Sequence, residues 1–262
     1  MRVISYGGGV QSTALLVLAC QGRIEADAAV FANVGDDSEN PATLAFIHDH
    51  AVPYAARHSF QLEQVCRTWR DGTHTTLHDY VTGDIASIPI PVYMEGGAPG
   101  TRQCSERWKI AVVARWLRDH GASPENPAEL LIGFSWDELE RVKDISDPIA
   151  RRSYPLIDLR LNRGDCMEII RNVGLPVPPK SSCWFCPYRG ARGFAEMRRD
   201  QPELFDRAVV FEDRINEKRV AMGRDAVHLT GTHSRLALLP AAQDALFDVD
   251  GEGHCTSEAC FT

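Results

Sequence analysis

The chain opens on a short apolar run, residues 2–5, that stops at three consecutive glycines, and residues 12–21 then read as a largely apolar helix closed by Gly22. A second apolar run, "ADAAVFANVG" (26–35), ends in polar residues. In "NPATLAFIHDHA" (40–51), Asn40 is placed to cap a helix whose first position is Pro41. "ELLIGFS" (129–135) is a third continuous apolar strand, bounded by the polar, Pro-rich "GASPENPA". Strands that alternate with helices imply a parallel sheet covered on both faces. The fold class expected is therefore α/β, a twisted parallel sheet with helices on both faces.

From Arg151 the pattern changes. A short extended piece leads to a helix over about 162–173, closed by Gly174, and "LPVPPKSSCWFCPYRG" is too rich in proline to be helical. Two more helices are expected, at about 191–200 and 202–222, followed by a polar, Gly-rich tail from Asp248. The stretch 71–101, rich in Thr, Gly and Pro, reads as a long loop. These shifts divide the chain into residues 1–150 and a helical, cysteine-bearing region, 151–262, packed on the first.

Composition narrows the class only a little. At 262 residues, 44% hydrophobic, the chain can bury a core without staples. A net charge of -8 argues against strong nonspecific binding to nucleic acid, which draws on Lys and Arg. A local basic patch remains at Arg189, Arg192, Arg198 and Arg199, able to steer an anion or simply to solvate a helix face. No apolar run approaches the roughly 20 residues that span a bilayer, so no membrane partner is expected and the chain reads as cytoplasmic. Its eight cysteines are then ligands, nucleophiles or core residues rather than disulfides.

Two stretches carry the chemistry. The glycine loop lies between a strand and a helix N-terminus, where backbone amides and the helix dipole favour an anion. It has neither the Walker A spacing nor Gly-x-Gly-x-x-Gly. In "KSSCWFCPYRG", Cys183 and Cys186 stand at a spacing that lets two thiolates face one metal centre. A structural zinc site using Cys183, Cys186, Cys255 and Cys260 is one reading. A thioredoxin-like pair is another, although Pro187 directly follows the second cysteine and argues against it. Cys20, Cys66 and Cys166 lie in apolar or helical patterns and read as core or inert.

Gly7 to Ser12 resemble the pyrophosphate loop of the adenine-nucleotide alpha-hydrolase (PP-loop) superfamily, close to Ser-Gly-Gly-x-Asp-Ser, with Gly7 in place of serine and Gln11 in place of aspartate. "ANVGDDSENPATLAFI" resembles the second-strand segment of the phosphoadenosine phosphosulfate reductase-like family, and "IGFSWDELERVKD" resembles its Gly-x-x-x-Asp-Glu-x-x-Arg segment. The likeness runs from Arg2 to about Arg199 and extends to DNA phosphorothioation and iron–sulfur tRNA thiolation enzymes. It implies a HUP-like sheet and ATP held by Ser5, Gly7, Gly8, Gly9, Gln11, Ser12 and Gly133, with the adenine at Ala32 and Asn33. It also implies Mg2+ or substrate orientation by Asp36, with Asp37 and Glu39, charge stabilisation from Lys109, Arg141 and Lys180, and a catalytic part for Asp137, whose four-residue spacing from Arg141 would put the two on one helix face. In the family subset most like this chain, Cys104 joins Cys183 and Cys186 around a 4Fe–4S cluster, with Cys260 or Cys255 as the fourth ligand or an open iron able to hold a labile sulfide, and with Zn2+ as the alternative metal. The function implied is ATP-dependent adenylation of an acceptor followed by sulfur transfer. The partners implied are a nucleic-acid acceptor (DNA or tRNA), a sulfur-donor protein and a second copy of the chain. Two other readings stand beside it. One is a sulfonucleotide reductase using Cys255 or Cys260, although the tail lacks that family's Glu-Cys-Gly-x-His; the other is a nucleotide-binding module whose catalysis was lost with the acid at position 11.

Overall fold

The computed structural model describes residues 1–84, 87–95, 97, 99–142, 146–232 and 234–240. In chain order the strands are β1 (Arg2–Ser5), β2 (Ala28–Asn33), β3 (Gln61–Cys66), β4 (Tyr93–Met94), β5 (Ala128–Ile132), β6 (Ala150–Ser153) and β7 (Val227–His228). The α-helices are α1 (Val10–Cys20), α2 (Pro41–Phe46), α3 (Val52–Arg57), α4 (Leu77–Thr82) and α5 (Gln103–Ser105). They continue with α6 (Ala111–Asp119), α7 (Pro155–Asp158), α8 (Arg163–Asn172), α9 (Gly190–Asp200) and α10 (Pro202–Ala221). The described residues form two compact units, the first from 1–74 and 105–182, the second from 75–104 and 183–240.

The first unit is built on a five-stranded parallel sheet in the order β3-β2-β1-β5-β6. Alternate residues along its central strands enter two separate cores. Ile4, Ala29, Phe31 and Leu131 pack with α1, α7 and α8, whereas Val3, Val30, Leu130 and Ile132 pack with α6. Burial on both faces explains why these strands read as unbroken apolar runs. The edge strands do not read that way. β3, "QLEQVC", is half exposed, and β6, "ARRS", is polar, so neither carries the apolar run that betrays a central strand. β6 and α8 lie past residue 150 yet belong to the first unit, because β6 pairs with β5 and α8 packs on α1. The change of sequence character at 150/151 therefore marks a polar edge strand rather than the end of the sheet.

The helix expected over 40–51 runs on to Arg57 through a π-helical turn, Ile47–Ala51. That widened turn ends two residues before Pro53, which has no N–H to donate. Asn40 caps α2 as its sequence predicts, its Oδ1 accepting from the Ala42 N–H at 3.0 Å.

In the second unit α4, α9 and α10 surround an aromatic core, and β4 pairs antiparallel with β7. The expected loop 71–101 thus contains one helix and one strand. Lys218 on α10 donates to the carbonyls of Val81 and Gly83 and holds the end of α4. Glu212, buried on α10, accepts from the N–H groups of Leu229 (2.8 Å) and Leu236 (2.7 Å), and Asn216 bonds both backbone groups of Val227. Burial pushes the Glu212 carboxyl above its usual value of 4.5, against the pull of those amides and of Arg235. A carboxyl whose folded pKa lies above its unfolded one binds more protons when folded, so stability falls as pH rises from 4.5 through the folded value. Glu212→Gln is expected to flatten that pH slope in urea unfolding. Its amide faces one backbone N–H, which sets the whole curve lower by about 1–3 kcal/mol.

Candidate functional site

In a parallel sheet, ligands bind beyond the C-terminal strand ends where the strand order reverses. Here the order turns between β1 and β5, and the loop Tyr6–Gly9 leaves β1 at that point. Gly8 adopts φ +73°, and a Cβ there would lie 2.9 Å from Thr43 Cγ2 and 3.0 Å from Ile47 Cδ1. Glycine at 8 therefore lets the loop turn and lets α2 press against its back. Gly133, just past β5, is tighter still: a Cβ would stand 2.9 Å from the Ser12 nitrogen and 3.1 Å from the Gln11 carbonyl carbon. The start of α1 is thus seated directly on Gly133. Ser12 Oγ accepts from the Gly9 N–H at 3.2 Å, and no acidic side chain occupies the first turn of α1. The loop has the properties an anionic phosphate chain requires: helix amides, a bare backbone and no competing carboxylate.

β1 pairs with β2 only as far as Val30, while β2 continues to Asn33 along β3. The uneven ends leave a notch lined by Ser5, Tyr6, Gly7, Phe31, Ala32, Lys109 and Val113. Ser5, Gly7, Ala32 and Lys109 are brought together there; Lys109 arrives on the π-helical turn Glu106–Ile110. Asn33 serves the loop instead. Its Oδ1 accepts from the Gly35 N–H at 2.8 Å and its Nδ2 donates to Asp36 at 2.6 Å, which fixes that exposed carboxylate. Asp37 accepts from Ser38, and Glu39 is buried.

Gln11 is not idle in the acid's place. Its Nε2 donates to Glu138 (2.9 Å) and Ser135 (3.4 Å), and its Oε1 accepts from Arg163 at 3.1 Å. A carboxylate could not donate to Glu138, so an amide is the side chain that satisfies both neighbours. The four-residue pairing of Asp137 with Arg141 does not form. Residues 136–141 are a 3-10 helix in which Arg141 pairs with Glu138 and lies 4.2 Å over the Phe134 ring. Asp137 is exposed and accepts from the Arg163 N–H, at the start of α8. Glu138 is thus the acid joined to the glycine loop. Its signal was present in "SWDE", a Ser-x-x-Glu capping box that the structure contains in full.

Lys180 is exposed. The next two residues run beside the loop: Ser181 Oγ lies 3.6 Å from the Cβ position of Gly9, and the Ser182 carbonyl accepts from the Asn40 N–H. The second unit resumes at Cys183. Between Cys183 and Cys186, Trp184 and Phe185 are buried, packed with His78 and Phe211, so the core of this unit sets the spacing of the pair. Both cysteines and Cys104 are thiols outside any disulfide, partly exposed and in the same unit. Among the described residues no three cysteine sulfurs lie within 4.8 Å of one another. An all-thiol donor set of this kind suits either a thiolate-bound zinc or an iron–sulfur centre. Cys255 and Cys260, the candidates for a fourth ligand, lie outside the described residues.

The remaining thiols divide. Burial pushes Cys20 up to about 11 and Cys166 up to about 12, in keeping with inert thiols. Cys66 is not a core residue: it is exposed at the end of β3, with Sγ 3.4 Å from His74 Nδ1. The arginines of the α9 patch are engaged with neighbours, Arg192 with Glu196, Arg199 with Asp200 and Arg198 with the Leu239 carbonyl.

No family model matches the chain, and no curated protein sequence matches it. Among solved structures, the chain is similar to the U34-tRNA thiolase NcsA from Methanococcus maripaludis, determined with its 4Fe–4S cluster, at 12% identity and a TM-score of 0.42 over 81% of this chain and 70% of that one. Among the described residues no helix is long and apolar enough to cross a membrane.

Proposed function

We propose that this chain is a PP-loop ATP pyrophosphatase that adenylates an acceptor and transfers sulfur to it from a cysteine-bound iron–sulfur centre, the acceptor being a nucleobase or another nucleic-acid oxygen. The observation that carries the reading is the glycine loop at the sheet's switch point, seated on Gly133 and flanked by the Lys109 notch. ATP would lie with its phosphates over the loop amides and its base toward the C-terminal end of β2, at Ala32 and Asn33. The acceptor oxygen attacks the α-phosphorus, the bond to the β-phosphate oxygen breaks, and pyrophosphate leaves with that electron pair. Loop amides and Lys109 hold the charge that develops, so catalysis is positioning and electrostatics. Asp36, held by Asn33, would orient Mg2+ on the phosphates. Arg141 is neutralised by Glu138 and acts through the Gln11–Ser135 network rather than as a free cation. Cys104, Cys183 and Cys186 would hold the cluster, which would supply sulfide-level sulfur; a bond from that sulfur to the acceptor atom replaces the bond to its adenylated oxygen, and AMP leaves with that oxygen and the electron pair.

The test is anaerobic purification with metal and sulfide analysis, then incubation with ATP, Mg2+ and a structured RNA. Iron with acid-labile sulfide, and release of AMP and pyrophosphate, are the expected results. Zinc without iron would remove the cluster from the proposal. ADP and phosphate as products would remove the adenylation.

A further inference from the structure

Past β3 the chain folds back on itself in a small hairpin, residues 68–74. Cys66 is the register partner of Asn33, so the hairpin leaves the sheet next to the end of β2. A bridge between Thr68 and His74 closes it, the Trp69 N–H donates to the Thr73 carbonyl at 2.9 Å, and the Gly72 N–H donates to the Trp69 carbonyl at 3.0 Å. Arg67 anchors the hairpin. Its guanidinium carbon lies 4.4 Å from the ring centre of Trp108, which is fully buried, and 4.1 Å from that of Trp69. Its Nη1 donates to the Arg107 carbonyl at 3.1 Å. The half-exposed Trp69 is thereby held against a cation that is itself seated on the core. Arg115 on α6 reaches the same hairpin, donating to the Thr68 carbonyl at 3.3 Å. The segments 67–74 and 106–120 carry six Lys and Arg against three acids, Asp71, Glu106 and Asp119, in a chain of net charge -8. Asp71 turns its carboxylate to the N–H and hydroxyl of Thr73, and Asp119 lies 3.9 Å from Arg115. Arg70 in the hairpin and Arg118, one turn along α6 from Arg115, are exposed and make no ion pair among the described residues.

We propose that this hairpin and the adjoining edge of α6 bind a single-stranded segment of the acceptor nucleic acid, with an unpaired base stacked on Trp69 and flanking phosphates held by Arg70, Arg115 and Arg118. The inference rests on the nucleic-acid reading above and names the surface that presents the acceptor. A tryptophan already fixed on a closed hairpin offers contact area with little entropy left to lose. Stacking tolerates any base, because every base has a π-face, but it needs a base outside a duplex. The arginines add phosphate contacts whose strength falls with salt. The surface runs on to the nucleotide site, since Lys109 lines the notch two residues beyond the Arg107 carbonyl that Arg67 holds.

The experiment uses the full chain and the fluorescence anisotropy of labelled single strands of about 12 nucleotides, RNA in one arm and DNA in the other, across about 50–200 mM salt. The parent should bind at least one of them, and the tighter of the two names the acceptor. Trp69→Ala is expected to weaken binding about tenfold, and Trp69→Phe to restore most of the loss. Arg70→Gln and Arg118→Gln should each reduce the slope of log affinity against log salt by about 0.7. Equal affinity in Trp69→Ala and the parent overturns the inference. So do unchanged salt slopes in both arginine variants, whose exposed side chains leave the fold alone, whatever Trp69→Ala does. A blunt RNA duplex bound as tightly as the single strand overturns it too, because no base is then stacked. A parent that releases AMP and pyrophosphate from ATP but binds neither strand removes this surface and leaves the adenylation standing. A parent that forms no AMP, yet loses affinity for the strand in Trp69→Ala, removes the adenylation and leaves the surface.

Discussion

Replacing Phe185 with alanine is expected to lower the stability of the second unit by about 3–5 kcal/mol, the usual cost of emptying a fully buried aromatic site. The side chain has no solvent exposure, stacks on Phe211 at 4.2 Å and meets Trp184 edge-on at 4.8 Å. Because Trp184 and Phe185 are also the two residues between the cysteines, the same change frees Cys183 and Cys186 from their seat. Urea unfolding should show the lost stability, and iron uptake should fall with it. Cys186→Ser is the companion variant: its side chain is only partly buried, so it should lose iron while keeping its urea midpoint within about 0.5 kcal/mol. An unchanged midpoint in Phe185→Ala would show that the aromatic core does not seat the pair.

The second large effect is expected at Gly133. An added methyl would meet backbone, not a mobile side chain, so the first turn of α1 must move away. Overpacking of this kind costs about 1–3 kcal/mol. The functional cost is larger, since a displacement near 1 Å of a positioning element is worth about 100-fold. Gly133→Ala should therefore weaken ATP binding by about that factor in calorimetry. Gly174→Ala is the control for lost stability without a clash at the loop: its φ of +77° strains the new side chain, but nothing lies within 4 Å of the methyl, so ATP affinity should be kept. Equal ATP affinity in Gly133→Ala and the parent would mean that the loop does not bind the phosphates.

What could be read from the sequence was whatever local chemistry determines. β1, β2, β5, α1 and the Asn40 cap declare themselves by unbroken apolar runs, a glycine stop and a capping side chain. β3 and β6 do not, because an edge strand is defined by its neighbour rather than by its own pattern. The glycine loop was legible, but the reason for Gly133 was not, since its need is the backbone of a helix more than 100 positions away. Around Asp137 the sequence did not show which acid meets which partner: in the 3-10 turn Glu138 faces Arg141 and Gln11, while Asp137 accepts from the Arg163 N–H. Exposure of Cys66 was hidden for the same reason as β3, by the half-apolar pattern of an edge.

The second unit is discontinuous, and that sets an order of events during synthesis. β4, near residue 93, has its partner β7 near residue 228, with the sheet strands β5 and β6 made in between. At about 5–20 residues per second the earlier segment waits roughly 7–27 s for its partner to emerge. Cys104 is made at the start of that interval, and Cys183 and Cys186 leave the ribosome before α10 exists to pack on Phe185. The nucleotide loop and its sheet can therefore be complete while the thiols still lack the fold that spaces them. If these cysteines hold the metal centre proposed above, loading waits for α10, and a chain halted before residue 202 would have its sheet but no seat for the cluster.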